Sequence, residues 1–213
     1  MGDLAFAAKH GANHVAQRLS YRLDRRLCRP TQINVLITEA CAARCTMCDI
    51  WKRTVGDEMS VDEWRPVLDR LREWLGPFFL VMSGGEPFQK PGFFDLLAHC
   101  RAIGIKTKVS TNGMFLTPRL CERILETGPD FLSFSIDHHD PEVHDALRGV
   151  PLHARCVRAI ECLRDNGAGI VLGVATVVME ETYRALADTG RWALDLGVDR
   201  VLYQPLYPTF GSG

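Results

Sequence analysis

The stretch INVLITEACAARCTMC runs from Ile33 to Cys48. Its opening, INVLIT (33–38), is short, mostly apolar and partly β-branched, and reads as a buried strand. Behind it come Cys41, Cys45 and Cys48, separated by three and then two residues. A strand running straight into a loop of chemistry-bearing side chains suits an α/β sheet, where ligands bind beyond the C-terminal ends of the strands.

The same unit recurs down the chain. SVDEWRPVLDRLREWLG (60–76) predicts a helix: Ser60 and Glu63 have capping-box spacing, and Val61, Trp64, Val67, Leu68, Leu71, Trp74 and Leu75 mark an apolar face. Pro66 inside it is tolerable only if the helix starts late or kinks. FFLVMS (78–83) predicts a strand, GFFDLLAHCRAIG (92–104) a helix ended by Gly104, and KTKVST (106–111) a strand. A helix opened by Thr117-Pro118 and ended near Gly128 follows. Strand FLSFSI (131–136), a helical region to Gly167, strand GIVLGVATVV (169–178), helix EETYRALADTGRWALDLG (180–197) and strand RVLYQPL (200–206) complete the order. Six strands alternating with five helical segments predict a parallel sheet covered by helices, with right-handed crossovers. An open doubly wound sheet and a partial barrel both satisfy this pattern. The chain ends YPTFGSG with no sixth covering helix, so the expectation is a fragment or shortened product truncated after strand six.

Apolar residues make up 46% of the 213, which supports a sizeable core in one domain and argues against disorder. A net charge of −1 gives no global reason to expect nucleic acid as a partner. No apolar run is long enough to span a bilayer, and the N-terminus lacks the pattern of a secretory signal. The eight cysteines (Cys28, Cys41, Cys45, Cys48, Cys100, Cys121, Cys156, Cys162) are therefore read in a reducing, cytoplasmic setting rather than as a disulfide framework. Residues 1–30 form a separate basic segment, in which Lys9, Arg18, Arg22, Arg25, Arg26 and Arg29 outnumber Asp3 and Asp24. There Val15, Leu19, Leu23 and Leu27 recur every four residues and predict an amphipathic helix, packed on the core of residues 31–213 or touching anionic lipid or a partner.

Three thiolates can hold a tetrahedral zinc with a fourth ligand from elsewhere, or three irons of a [4Fe–4S] cluster with one iron left open. The loops after the next strands carry polar residues too. SGGEP (83–87) offers bare backbone at Gly84 and Gly85 and an acceptor at Glu86; STNG (110–113) offers Ser110, Thr111 and Asn112; SID (135–137) offers Ser135 and Asp137. Tyr203 and Gln204 near the last strand are candidates for facing the same site, without an assigned role. Cys100 and Cys121 lie in apolar helix patterns and are expected in the core; Cys156 and Cys162, six apart on a helix, point to different faces.

Taken together, Cys41-x3-Cys45-x2-Cys48, GGEP (84–87), TNG (111–113) and SID…HDALRG (135–149) resemble the radical S-adenosylmethionine (SAM) enzymes. DIWKR (49–53) resembles the branch of molybdopterin-synthesis and peptide-maturation enzymes. The resemblance covers about residues 33–206. It implies a partial (β/α)6 barrel with a parallel sheet, here lacking the last helix. It implies a [4Fe–4S] cluster on Cys41, Cys45 and Cys48, whose fourth iron takes the amino and carboxylate groups of SAM. Reductive cleavage of SAM would give methionine and a 5′-deoxyadenosyl radical, which abstracts hydrogen from an unidentified substrate. An electron donor such as flavodoxin or ferredoxin is implied as a partner. By the same resemblance Met47 lies near adenine, Gly84, Gly85 and Glu86 hold the methionyl ammonium, Thr111 and Ser135 contact SAM, and Arg148 pairs with its carboxylate. The alternative is a truncated or non-catalytic iron–sulfur or SAM-binding protein, or a partner subunit; iron with sulfide, against zinc, would separate a cluster from a structural metal.

Overall fold

A computed structural model describes residues 2–166 and 169–206, with side chains from residue 6 onward. The tail YPTFGSG lies outside the described residues, so the expectation of a missing sixth helix does too. In chain order the elements are α1 (Gly2–Leu23), β1 (Gln32–Thr38), α2 (Val61–Leu75), β2 (Phe79–Gly84), α3 (Phe93–Ala102), β3 (Lys106–Thr111), α4 (Pro118–Thr127), β4 (Phe131–Ser135), α5 (Pro141–Arg148), α6 (His153–Asp165), β5 (Val171–Val178), α7 (Leu186–Asp195) and β6 (Arg200–Pro205).

All six strands are parallel, and their order in the sheet is their order in the chain, β1 to β6. This order decides between the two architectures left open by periodicity. A doubly wound sheet reverses direction at a switch point. Here every crossover steps the same way, so right-handed connections put the helices on one face and the sheet curls into an open, partial barrel.

The core fills the space between that sheet and the helices. Leu80 and Met82 of β2, Val109 of β3, Leu132 and Phe134 of β4 and Val174 of β5 meet Leu68 and Leu75 of α2, Leu96 and Cys100 of α3, Ile124 of α4 and Ile160 of α6, all nearly without exposure. The concave face has no such cover. In β1 exposed and half-buried residues alternate from Gln32 to Leu36, before buried Ile37 and Thr38, and Leu36 is 62% exposed. The expectation of a fully buried first strand is thus corrected: an open barrel covers its edge strand from one side only.

Local signals set the element ends. Ser60 caps α2 with its hydroxyl on the Glu63 amide, and the Glu63 carboxylate returns to the Ser60 amide at 2.8 Å. Pro66 stays inside the helix; it cannot donate to the Asp62 carbonyl one turn earlier, in the first turns of the helix. Thr117 caps α4 and Asp140 caps α5, each with proline next.

The N-terminal helix departs from its expected orientation. Phe6 packs edge-on against Phe79 at 4.5 Å, Lys9 donates to the Leu75 and Pro77 carbonyls, and Arg29 donates from its guanidinium to the Trp74 carbonyl at 2.5 Å and from its amide to Asn13 Oδ1 at 3.0 Å. Residues 6, 9, 10 and 13 share the face that meets the core, at the N-terminal end of β2. Val15, Leu19 and Leu23 lie roughly half a turn around and are exposed, as is Leu27 beyond the helix. The four-residue spacing located the helix, but its apolar stripe is not the packed face. No helix among the described residues is long and apolar enough to cross a membrane.

Candidate active site at the C-terminal ends of the strands

The cysteine segment has almost no regular structure of its own, and two neighbouring motifs hold it. On one side, the Gly85 amide donates to the Thr38 carbonyl at 2.7 Å and the Glu86 amide to the Ala40 carbonyl at 2.8 Å. A Cβ on Gly85 would stand 2.0 Å from the Ala40 oxygen, so only glycine allows this approach. On the other side, the end of α5 receives the loop: the Arg44 amide donates to the Arg148 carbonyl (3.1 Å) and the Thr46 amide to the Leu147 carbonyl (2.9 Å). Gly149 follows at φ +68°, and a Cβ there would come within 2.5 Å of the Arg44 oxygen. GGEP and HDALRG are thus the two saddles on which the cysteine loop rests. Glu58 adds a third tie, accepting from Thr38 Oγ1 (3.0 Å) and the Glu39 amide while pairing with Lys90 (3.2 Å).

Cys41, Cys45, Cys48, Gly84, Gly85, Thr111, Ser135 and Arg148 line one cavity, together with Ile50, Ser83, Ser110 and Asn112. The strand register explains the serines: Ser110 pairs with Ser133 and Ser135 with Ala175 along the concave face. Asn112 reaches Cys41 Sγ with its amide nitrogen at 3.5 Å, and Arg148 Nη1 reaches Cys45 Sγ at 3.8 Å. All three thiols are free of disulfides. Burial pushes the Cys41 and Cys45 thiols up, and the Arg148 cation pulls Cys45 back down. Among the described residues no three His, Cys, Asp or Glu side chains are grouped to share one metal ion. Three thiols lining one cavity are a donor set that three irons of a cluster, or a zinc with a fourth ligand, could use.

Two expected site residues sit elsewhere. The Glu86 carboxylate is fully buried and turns away from the cavity; it accepts from Thr111 Oγ1 (2.9 Å), the Asn112 amide (2.8 Å) and the Phe88 amide (3.3 Å). Burial raises its pKa to about 7 against those three donors. It joins the ends of β2 and β3, and the backbone of its loop, not its carboxylate, faces the cavity. Met47 is not among the cavity-lining residues; it packs in a small cluster with Ala43, Cys45 and Leu152 that Cys41 and Cys48 also join. Tyr203 also faces away, donating to the Leu186 carbonyl at 2.8 Å beside Gly190 in the helix layer, whereas Gln204 pairs with Val177 on the concave side. Cys100, Cys121 and Cys156 are buried, Cys156 with its thiol on the Asn112 carbonyl at 3.4 Å.

Asp137 belongs to the site more firmly than its motif alone indicated. It is fully buried and pairs with Arg148 at 2.7 Å, while its other oxygen accepts from the Val177 amide at 3.0 Å. Its own amide donates to Nδ1 of buried His144 at 3.2 Å. His144 is thereby held neutral, its pKa pushed down to about 3 by burial and by Arg148. Only the coincidence of SID with HDALRG, which places Asp137 and Arg148 eleven residues apart, hinted at this network. Ile50 and Ser83 lie inside the quoted DIWKR and SGGEP stretches, but nothing in those stretches singles them out as cavity residues.

The model of the radical SAM superfamily matches residues 35–193. The chain is 30% identical over 164 residues to the AdoMet-dependent heme synthase of Methanosarcina barkeri, covering 76% of this chain and 46% of that protein. It is 32% identical over 160 residues to the mycofactocin maturase MftC of Mycobacterium tuberculosis, covering 74% and 40%, and 29% identical over 180 residues to the PqqA peptide cyclase of Streptomyces rochei, covering 81% and 47%. The chain thus spans about half the length of these relatives. Streptococcus suis SuiB bound to S-adenosylmethionine superposes with a TM-score of 0.74 at 17% identity, over 85% of this chain and 42% of that one. The enzyme anSMEcpe with bound AdoMet gives 0.71 at 17% identity, over 84% and 52%. With its partial barrel and its cysteine loop at the strand ends, the chain belongs to the radical SAM superfamily, enzymes that use a [4Fe–4S] cluster and S-adenosylmethionine.

Proposed function

We propose that Cys41, Cys45 and Cys48 hold the [4Fe–4S] cluster and that the cavity beside them receives SAM, so that this chain carries the radical-initiating half of a peptide-modifying enzyme. One observation carries the reading: three thiols and the bare backbone of Gly84 and Gly85 converge on a single cavity at the C-terminal ends of β1 and β2. The residues fit the group. Three soft donors line the same cavity, Arg148 keeps a buried Nε without a partner, and Gly85 leaves no side chain between loop and cavity. When bound to Cys41, Cys45, Cys48 and the cavity, the cluster and SAM would supply one-electron reductive chemistry for hydrogen abstraction from the substrate.

The chain's own groups bind, orient and exclude water. Ser83, Ser110, Thr111, Asn112 and Ser135 offer short hydrogen-bonding groups along the cavity wall, and Arg148 offers its remaining N–H to a carboxylate. Glu86 acts one step back, fixing Thr111 and Asn112. A peptide substrate is supported by the relatives named as a maturase and a peptide cyclase, and by a solved structure of SuiB with a precursor peptide. The electron comes from a low-potential donor such as flavodoxin or ferredoxin.

The ligand assignment is tested by anaerobic reconstitution and analysis of iron, sulfide and zinc. About four irons and four sulfides per chain are expected in the wild type, falling sharply in Cys41→Ala, Cys45→Ala and Cys48→Ala and unchanged in Cys100→Ala. Zinc in place of iron, or iron uptake unaffected by the three substitutions, would remove the reading.

A further inference from the structure

We infer that the buried Arg148–Asp137 pair sets the reduction potential of the cluster through Cys45, with Arg148 and Asp137 pulling in opposite directions. This rests on the assignment of Cys45 as a cluster ligand.

The geometry is directional. Arg148 Nη2 is 2.7 Å from Asp137 Oδ2, and its Nη1 points to Cys45 Sγ at 3.8 Å. Both side chains are buried, Asp137 completely and Arg148 to 8% exposure, so water screens neither charge strongly. The pair is therefore a fixed dipole with its positive end on the sulfur and its negative end one residue span behind. It cannot swing away. The Asp137 amide is held by His144, its second oxygen by the Val177 amide, and Arg148 ends the helix turn whose carbonyls carry the cysteine loop. A buried ion pair rarely stabilises more than a well-packed apolar pair would. Its placement on a thiol gives it a use other than stability.

The sign follows from charge. Reduction adds one electron and no proton to a cluster held by thiolates, so the reduced form is the more negative. An N–H donor and a cation at a ligand sulfur favour that form and raise the potential; a nearby carboxylate opposes it. Removing Arg148 should lower the potential, and neutralising Asp137 should raise it, since Arg148 then faces Cys45 without a counter-charge. A role confined to holding the loop would not produce opposite signs.

The test uses the reconstituted full chain without SAM. Wild type, Arg148→Gln, Arg148→Lys and Asp137→Asn are poised with dithionite and mediators, and the reduced cluster is read by electron paramagnetic resonance. The reduced-to-oxidised ratio at one potential should fall on the order of tenfold in Arg148→Gln, which is 59 mV for a one-electron couple. It should rise in Asp137→Asn, with Arg148→Lys between wild type and Arg148→Gln. If Arg148→Gln loses its cluster, the opposite-signed Arg148→Lys and Asp137→Asn shifts decide. Shifts of the same sign, or unchanged potentials with intact clusters, would overturn the inference. Failure of the underlying assignment is distinct: wild-type protein would then hold no iron–sulfur cluster.

Discussion

Glu86 shows how one buried carboxylate can organise a site without touching its ligand. Three donors from two strand ends converge on it, and removing the acceptor strands them in a dry environment. Glu86→Gln keeps the shape but turns an amide N–H₂ toward at least one of those donors. It should cost on the order of 3 kcal/mol in urea unfolding at pH 6. The pH dependence has a defined sign. Burial raises the folded pKa to about 7 from 4.5, so the fold binds this proton more readily than the unfolded chain does. The contribution is fully present below about pH 4.5 and is lost as pH rises through 7. The gap between wild type and Glu86→Gln should therefore narrow between pH 6 and pH 8.5, and a gap that widens would contradict the burial argument. The sequence marked Glu86 through its motif but not its direction: GGEP indicates an acceptor near the cavity, while only the β2–β3 pairing shows that the carboxylate is used by Thr111 and Asn112. Met47 is placed among the cysteine side chains and not in the cavity lining, a distinction that a loop without regular periodicity does not reveal in advance.

At the scale of elements, the cysteine loop is a passenger on two glycine-bearing turns. Gly85→Ala and Gly149→Ala should each displace it, because the added Cβ meets the Ala40 or Arg44 carbonyl at 2.0 Å or 2.5 Å. Both variants should retain their far-ultraviolet circular dichroism and lose most of their capacity to bind iron and sulfide; normal loading in both would show that the loop has other support. Ser60→Ala tests a different kind of element feature. It removes the capping box of α2, a helix that adds no residue to the cavity lining, and should cost about 1 kcal/mol in stability with iron loading unchanged. The Ser60–Glu63 cap and the bare backbone at Gly85 were legible from residues alone, since capping chemistry and tight turns are local, whereas the turn at Gly149 was not. Strand positions were legible too. What local pattern could not provide was the exposed alternation in β1, the orientation of α1 and the outward turn of Tyr203, each of which depends on which face the sheet leaves open.

At the scale of the whole molecule, α1 and the candidate site occupy opposite ends of the strands. Phe6 and His10 meet Phe79 at the start of β2, whereas the thiols gather beyond the ends of β1 and β2. Phe6→Ala should therefore speed hydrogen exchange in α1 while leaving the amides of β2 to β4 and the iron content as in wild type; a loss of iron would tie the helix to the site. The choice between a doubly wound sheet and a barrel was likewise a whole-molecule matter, fixed by strand order and invisible to periodicity. The central claim is that this chain initiates radical chemistry from three thiolates and SAM. Its most direct test is to reconstitute the protein anaerobically, add SAM and dithionite, and quantify 5′-deoxyadenosine against Cys45→Ala. The account predicts 5′-deoxyadenosine well above that control; a fully loaded cluster that yields no more than the control would contradict it.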